Sequence, residues 1–389
     1  MHHGRSDQKN SQALSGARGV YLCVIWARRA GVLMSVFDHP EFDDHEAIHF
    51  MADPDTGLAA IIAVHSTALG PGAGGCRRWK YASEADAITD VLRLSRGMTY
   101  KNAIAGLPFG GAKSVILARD DAPKSEALFR AFGRAIDSLG GQYVTAEDVG
   151  ITVEDMRAVR EETRFVSGLP QTGDGAGGDP SPRTAYGVCL GIRAAVAARL
   201  GKNDLEGVRV AVQGVGNVGR HLCELLSEAG AKLVVADVNR ENLERVAGIG
   251  GVEVVSPRDI LYAEVDVLAP CALGNILNTQ SIPRIRAKVI AGGANNPLST
   301  PADGERLMHR GILFAPDYVI NAGGVISVAH EFLGHNSEEL VRREIEKIPQ
   351  RLTAIFEEAE QRQLPTNAVA DELARRIVAE AREAQPAHS

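Results

Sequence analysis

Val208-Arg-Val-Ala-Val-Gln-Gly-Val-Gly-Asn-Val-Gly219 is the stretch on which the fold of this chain turns. Val208–Val212 reads as a buried strand. Gly214-Val-Gly-Asn-Val-Gly219 then opens a helix that runs to Ala229-Gly230, and Lys232–Ala236 is a second strand, ending at Asp237, 18 residues beyond Gly219. Strand, glycine turn, helix, strand and acid in that order is a dinucleotide-binding pattern. Gly214 permits the tight turn, Gly216 lets the backbone approach a pyrophosphate, and Gly219 lets helix and strand pack closely. Val215, Asn217 and Val218 complete the cofactor loop. Free N–H groups and the dipole at the helix start favour an anion there. Asp237 accepts hydrogen bonds from both ribose hydroxyls and repels a 2′-phosphate, so the cofactor read from this motif is NAD rather than NADP.

Working outward, Val265–Ala269, Val289–Ala291 and Ile312–Ala315 read as later strands, and strands separated by helices imply a doubly wound parallel sheet. On the N-terminal side, Thr184–Leu200 reads as a long helix ended by Gly201. Before it, Thr172–Pro182 is the most glycine- and proline-dense stretch of the chain, a linker composition that marks a domain boundary and a cleft. The first half reads as mixed α/β. Gly57–His65 and Ala112–Leu117 are strands, Ser83-x-x-Asp86 and Thr152-x-x-Asp155 start helices, and Lys124–Leu139 is a helix stopped by Gly140-Gly141. Glu338–Glu383 is helical and charged, with an apolar stripe (Leu340, Ile345, Ile348, Leu352, Ile355) that suits core or subunit packing.

Composition narrows the function. The 389 residues are 45% hydrophobic and 23% charged, which is ordinary for a globular chain. A net charge of −7 and only 5% aromatics argue against a nucleic-acid partner. The longest apolar stretch, Gly19–Ala27, is far short of a membrane span. Five widely spaced cysteines with no CxxC pair suggest reduced thiols and a cytoplasmic location. Residues 1–33 read as an upstream extension, with Met34 as the working start. His45 and His49 have the spacing of metal ligands on a helix, but Glu46 and the want of a third ligand make a surface helix the expectation, with no metal site.

Two lysines carry the chemistry. Lys101 lies in Gly97-Met-Thr-Tyr-Lys-Asn102 and Lys113 in Gly106-Leu-Pro-Phe-Gly-Gly-Ala-Lys-Ser114. Both are set among apolar residues and glycines, a poor surface composition. A partly buried ammonium beside another ammonium loses proton affinity through desolvation and like-charge repulsion, which brings one lysine toward general-base work. The other can hold a substrate carboxylate. Glu147-Asp148, in Val144-Thr-Ala-Glu-Asp-Val-Gly150, offers a carboxylate for a substrate ammonium.

From Met34 to Glu383 the chain resembles the Glu/Leu/Phe/Val dehydrogenase family, in its leucine/valine/phenylalanine branch. The matching stretches are Leu69-Gly-Pro-Gly-Ala-Gly-Gly75, Gly97–Asn102, Leu107-x-x-Gly-Gly-Ala-Lys113, Ala146-Glu-Asp-Val-Gly150, Pro180-Ser-Pro-x-Thr-Ala-Tyr-Gly187, Gln213–Gly219, Ala269–Gly274, Ala294-Asn-Asn296 and Ala315–Gly324. The resemblance implies an N-terminal α/β substrate-binding and oligomerisation domain (34–170, completed by C-terminal helices 345–386), a Rossmann NAD domain (180–340), and a homo-oligomer. It implies reversible oxidative deamination of an L-amino acid to a 2-oxo acid, ammonia and NADH. By position, Lys113 is the acid/base that activates water, Lys101 pairs with the substrate carboxylate, and Asp148 contacts the amino group. Gly74, Gly75 and Met98 lie against the substrate, with Thr184, Asn295 and Asn321 contacting cofactor or substrate across the cleft.

Glutamate-using relatives place a lysine where this chain has Ala73, and a buried second carboxylate without a cation is costly. The side-chain pocket is therefore apolar, built by family position from Ala73, Ala146, Val325 and Val328. Ala73 leans toward an aromatic substrate, the two valines toward a branched-chain one, and the expectation is leucine, valine or isoleucine. The alternatives are a phenylalanine dehydrogenase or a non-catalytic NAD-binding regulator on the same fold.

Overall fold

The computed structural model describes residues 27–29, 32–169, 179–272, 274–335 and 337–384. Residues 1–26 of the expected extension and 172–178 of the glycine-rich stretch lie outside these. Ala27–Arg29 (β1) pairs antiparallel with Val32–Met34 (β2).

The first sheet is mixed. Ala47–Asp53 (β3) forms its edge and runs antiparallel to Leu58–Ser66 (β4), which runs antiparallel to Gly110–Leu117 (β7). The other side of β7 is shared along its length. Gly72–Ala73 (β5) lies beside Gly110–Gly111, and Cys76–Trp79 (β6) lies beside Ser114–Leu117. Gly74 and Gly75 cross the gap between them, over Ala112 and Lys113. Tyr143–Val144 (β8) closes the far edge against β5.

Alternation along β7 divides the two faces. Ala112 and Ile116 enter a core with Phe129, Phe132 and Tyr143, beneath Glu126–Asp137 (α2) and Val153–Arg160 (α3). Val115 enters a core with Val91 and Leu92 of Glu84–Ile104 (α1) on the opposite face. Lys113 alternates in phase with Val115 and so faces the α1 side. Helix α1 starts where the sequence predicts: Ser83 Oγ accepts from the Asp86 amide at 3.2 Å, a cap worth about 1 kcal/mol. Helix α3 has the full capping box of Thr152 and Asp155.

One expectation is overturned. The segment with His45 and His49 is not a surface helix. Residues 47–53 form strand β3, and His45 is buried with Nε2 3.1 Å from the Leu92 carbonyl and 3.0 Å from Ser95 Oγ. Pairing with β4 outweighs a coincidental helical spacing.

The second sheet is fully parallel. Arg209–Gln213 (β9), Lys232–Ala236 (β10), Glu253–Val254 (β11), Val267–Pro270 (β12), Val289–Ile290 (β13) and Leu313–Phe314 (β14) lie in the order β11-β10-β9-β12-β13-β14. Numbered within this sheet, that is 3-2-1-4-5-6, the doubly wound arrangement in which ligands bind beyond the strand ends where the order reverses. Ser181–Leu200 (α4) and Asn217–Glu228 (α5) cover one face through Val188, Ile192, Leu222 and Leu226. Arg240–Val246 (α6) and Ala302–His309 (α7) complete the wound layers.

Two short helices, Asp317–Ile320 (α8) and Gly323–Phe332 (α9), lead from this sheet back to the first. Glu338–Ile345 (α10), Ile348–Arg362 (α11) and Thr366–Ala384 (α12) follow. Helix α11 packs on α4, burying Leu352 and Ile355, and α12 packs on both α1 and β14. Among the described residues no helix is long and apolar enough to cross a membrane, Cys76, Cys189, Cys223 and Cys271 are free, and no group of three or more His, Cys, Asp or Glu converges on a metal-sized site.

Candidate active site

The cleft between the two sheets encloses about 370 Å³. Its first wall is built from β7, α1 and the Gly74-Gly75 crossing. A Cβ on Gly74 would lie 1.9 Å from the Ala112 carbonyl oxygen, so only glycine lets the chain pass this close to the strand that carries Lys113. Leu94, Met98 and Lys101 recur at four- and three-residue spacing on α1 and face the same space. The loop after β8 is drawn in by a parallel bridge between Cys76 and Glu147, which delivers Asp148. From the opposite side come Thr184, Val218, Asn295, Asn321, Val325 and Val328.

Lys113 Nζ lies 3.1 Å from Asp148 Oδ2, with the lysine 6% exposed. The same carboxylate oxygen accepts from Arg77 Nε at 3.0 Å. Burial pushes the Asp148 carboxyl upward, but the Lys113 and Arg77 cations outweigh it and hold it below its ordinary value. Lys101 Nζ donates across the cleft to Asn321 Oδ1 at 2.7 Å, and Asn321 Nδ2 donates to Asn295 Oδ1 at 2.8 Å. Burial pushes the Lys101 ammonium down to about 8; Lys113 adds to the fall, and Asp317 and Asp148 oppose it. An ammonium held this way, with an amide oxygen as its only hydrogen-bond partner among the described residues, is suited to an incoming carboxylate.

All the residues expected at the substrate line this cleft: Ala73, Gly74, Gly75, Met98, Lys101, Lys113, Ala146, Asp148, Asn295, Val325 and Val328, with Thr184, Val218 and Asn321 from the expected cofactor set. Gly214, Val215, Gly216, Asn217, Gly219 and Asp237 do not line this cleft. They gather at the ends of β9 and β10. Gly214 takes φ +87°, the left-handed turn the motif requires. A Cβ on Gly216 would meet nothing within 4 Å, and α5 begins there with no side chain capping its amides. These are the features an anionic pyrophosphate fits. Asp237 Oδ2 accepts from the Val215 amide at 2.8 Å, and Oδ1 from the Asn239 amide at 2.7 Å. The backbone thus presents the carboxylate at the tip of β10.

Several cleft residues escaped the sequence analysis, Leu94 and the following four among them. Arg77 follows the glycine pair beside an identical Arg78, and only the pleat of β6 distinguishes them. Asp317 lies within the matched stretch Ala315–Gly324 and accepts from the Asn296 amide at 2.8 Å. Phe109 and Phe332 enclose the apolar end, edge to face at 5.8 Å between ring centres.

Residues 45–165 match the family model described as Glu/Leu/Phe/Val dehydrogenase, dimerisation domain, and residues 175–249 and 235–385 match Glutamate/Leucine/Phenylalanine/Valine dehydrogenase. The chain belongs to the Glu/Leu/Phe/Val dehydrogenase family. It is an amino-acid dehydrogenase, and members of this family depend on NAD or NADP. A leucine dehydrogenase of Geobacillus stearothermophilus is 50% identical over 353 residues, 90% of this chain and 95% of the relative. A phenylalanine dehydrogenase of Bacillus thermotolerans is 45% identical over 308 residues, 78% of this chain and 80% of the relative. The crystal structure of L-tryptophan dehydrogenase from Nostoc punctiforme superposes with a TM-score of 0.77 at 43% identity, covering 88% of this chain and 98% of that one. Enzyme membership sets aside the reading as a non-catalytic regulator. Within this family of dehydrogenases, the relatives span aliphatic and aromatic substrates.

Proposed function

We propose that this dehydrogenase deaminates branched-chain L-amino acids, with leucine, valine and isoleucine ahead of phenylalanine, and uses NAD. The observation that carries the substrate class is the lining of the cleft beyond the two lysines. Ala73, Ala146, Val325 and Val328 stand there with Met98 and Leu94, so an aliphatic side chain exchanges water for apolar surface. The leucine dehydrogenase relative at 50% identity supports the same choice. Ala73 and the ring pair Phe109–Phe332 favour the second reading, an aromatic substrate.

In the proposed reaction Lys101 holds the α-carboxylate. Lys113 activates the water that attacks the iminium carbon, and Asp148 orients the amine and, as a carboxylate, steadies the charge on Lys113 as its proton comes and goes. A bound nicotinamide supplies the acceptor for the Cα hydride. Gly214–Gly219 would hold the pyrophosphate, Asp237 the ribose, and Thr184 and Asn321 the nicotinamide end. Closing the cleft excludes bulk water that competes in the chemistry. The same proposal takes residues 34–170 with the C-terminal helices as the substrate unit, 180–340 as the nucleotide unit, and a homo-oligomer as the working form. The match to a dimerisation domain supports the last point.

The deciding experiment is reduced-nucleotide production from a panel of L-amino acids, with NAD and NADP side by side. Higher kcat/KM for phenylalanine or tryptophan than for leucine overturns the substrate assignment. Higher kcat/KM with NADP overturns the cofactor assignment.

A further inference from the structure

Arg77 has no part in the reaction as described so far, yet it forms the only fork in the cleft wall, among the described residues, that joins the Asp148 loop to helix α1. Its place follows from the pleat of β6. Cys76 opposes Ser114 and turns into the core beneath α2, so Arg77, opposite Val115, turns to the α1 face that also carries Lys113. There its guanidinium divides. Nε donates to Asp148 Oδ2 at 3.0 Å, and Nη1 donates to Asp90 Oδ2 at 2.9 Å. Tyr81 donates its hydroxyl to the same Asp90 oxygen at 2.7 Å. Asp90 is on α1, three turns before Lys101. The chain Tyr81–Asp90–Arg77–Asp148–Lys113 therefore ends on the ammonium proposed to handle the proton.

We propose that Arg77 is a positioning residue for the reaction: its planar fork fixes Asp148 Oδ2 against Lys113 and keeps that carboxylate ionised while Lys113 gives up and regains its proton. This rests on the reading of Lys113 and Asp148 as the proton-handling pair. The physical need arises when Lys113 is neutral. At that moment Asp148 has lost one of its two cations, and burial alone favours its protonated form. An unsupported Asp148 would take up the proton, and as a carboxylic acid it would compete with water as the donor to Lys113. A guanidinium does not deprotonate in this range, so its charge stays beside Asp148 throughout the cycle. Asp90 and Tyr81 hold the second arm of the fork, so the first cannot swing away. A lysine in place of Arg77 keeps the charge but cannot span both carboxylates.

The test compares Arg77→Met, Arg77→Lys and Asp148→Asn by the pH profiles of kcat and kcat/KM, with folding checked by thermal melting. Arg77→Met is expected to lower kcat by about 10²-fold, the scale of an ångström misplacement, with little change in KM. Its acid limb is expected to move up by about one pH unit. Arg77→Lys moves the limb by less and recovers part of the rate. A slow Arg77→Met enzyme with an unmoved acid limb has lost structure only, and the inference fails. Wild-type kcat in Arg77→Met overturns it too. Should Arg77→Met not fold, Arg77→Lys decides: wild-type kcat and limb reject the role. Asp148→Asn separates this inference from its basis, because wild-type turnover there removes the reading of Asp148 itself.

Discussion

Lys113 and Asp148 meet at 3.1 Å on the wall of the cleft, although one belongs to a central strand and the other to a loop 35 positions later. Strand β7 is held on both edges, so the lysine is fixed by the sheet and the carboxylate comes to it. Lys113 can give up and regain its proton beside this carboxylate without moving the backbone. Lys113→Ala is expected to lose about 10²–10⁴-fold in kcat, the scale of general acid–base catalysis, while nucleotide affinity stays the same. Asp148 keeps Arg77 as a partner in that variant, so the fold survives. Turnover near the wild-type rate would remove Lys113 from its assigned role.

Lys101 makes a prediction about pH. Its ammonium is pushed down to about 8 by burial, so a growing fraction of the free enzyme is neutral above that pH. A bound carboxylate favours the charged form, so binding takes up a proton there. Affinity for 4-methylpentanoate, which has the carboxylate and side chain of leucine but no amine, should fall about tenfold per pH unit above about 8. Isothermal titration in two buffers of different ionisation enthalpy measures both affinity and proton uptake. A flat profile from pH 7 to 10 would show that the carboxylate's partner is not a lysine whose ammonium is pushed down to about 8. The sign for folding is the opposite of binding. Between about 8 and the ordinary 10.5 the unfolded chain holds this proton more tightly, so this group adds stability as pH rises across that window.

How much of this was legible in the sequence depends on how local each signal is. Gly214–Gly219 and Asp237 could be read because a turn, a helix start and a strand end lie within 30 residues of one another. The caps at Ser83 and Thr152 are local for the same reason. Strands β5, β6 and β8 have two to four residues and no periodicity of their own; β5 and β6 are strands because β7 is beside them, and β8 because β5 is. The histidines at 45 and 49 misled because four-residue spacing resembles a helix when the pairing partner is unseen. Arg77 and Arg78 are chemically identical in the sequence, and only the register with Val115 and Ile116 sends one to the site. The contact between Lys101 and Asn321 spans 220 positions and exists only once the two sheets are assembled.

Phe332 stands at the apolar end of the cleft, against Phe109. It and Val144 line the cleft on one side and a second, open cavity of about 560 Å³ on the other, bounded by Pro71, Phe165 and Leu169. Phe332→Ala removes most of the partition. The ratio of kcat/KM for tryptophan to that for leucine should then rise by about tenfold or more, within the range a reshaped apolar pocket supplies. Equal losses for both substrates would mean that the ring supports the wall without limiting the side chain.

Two glycines of the nucleotide loop should fail in different ways when given the same methyl group. A Cβ on Gly219 would lie 1.9 Å from the Gly214 carbonyl oxygen, inside the protein itself. Gly219→Ala must therefore push α5 away from β9, and a lowered melting temperature is expected whether or not nucleotide is present. At Gly216 the added Cβ meets no protein atom within 4 Å. Gly216→Val should leave the melting temperature of the free protein near the wild-type value, because the side chain enters open space at the helix start. What it occupies is the approach to the unfilled amides of α5, where the pyrophosphate is expected. Nucleotide should then raise the melting temperature of wild type but not of Gly216→Val, since stabilisation by a ligand scales with its affinity. Equal stabilisation of both proteins by NAD would show that the pyrophosphate lies elsewhere, whereas a Gly219→Ala protein as stable as wild type would show that α5 can shift without cost.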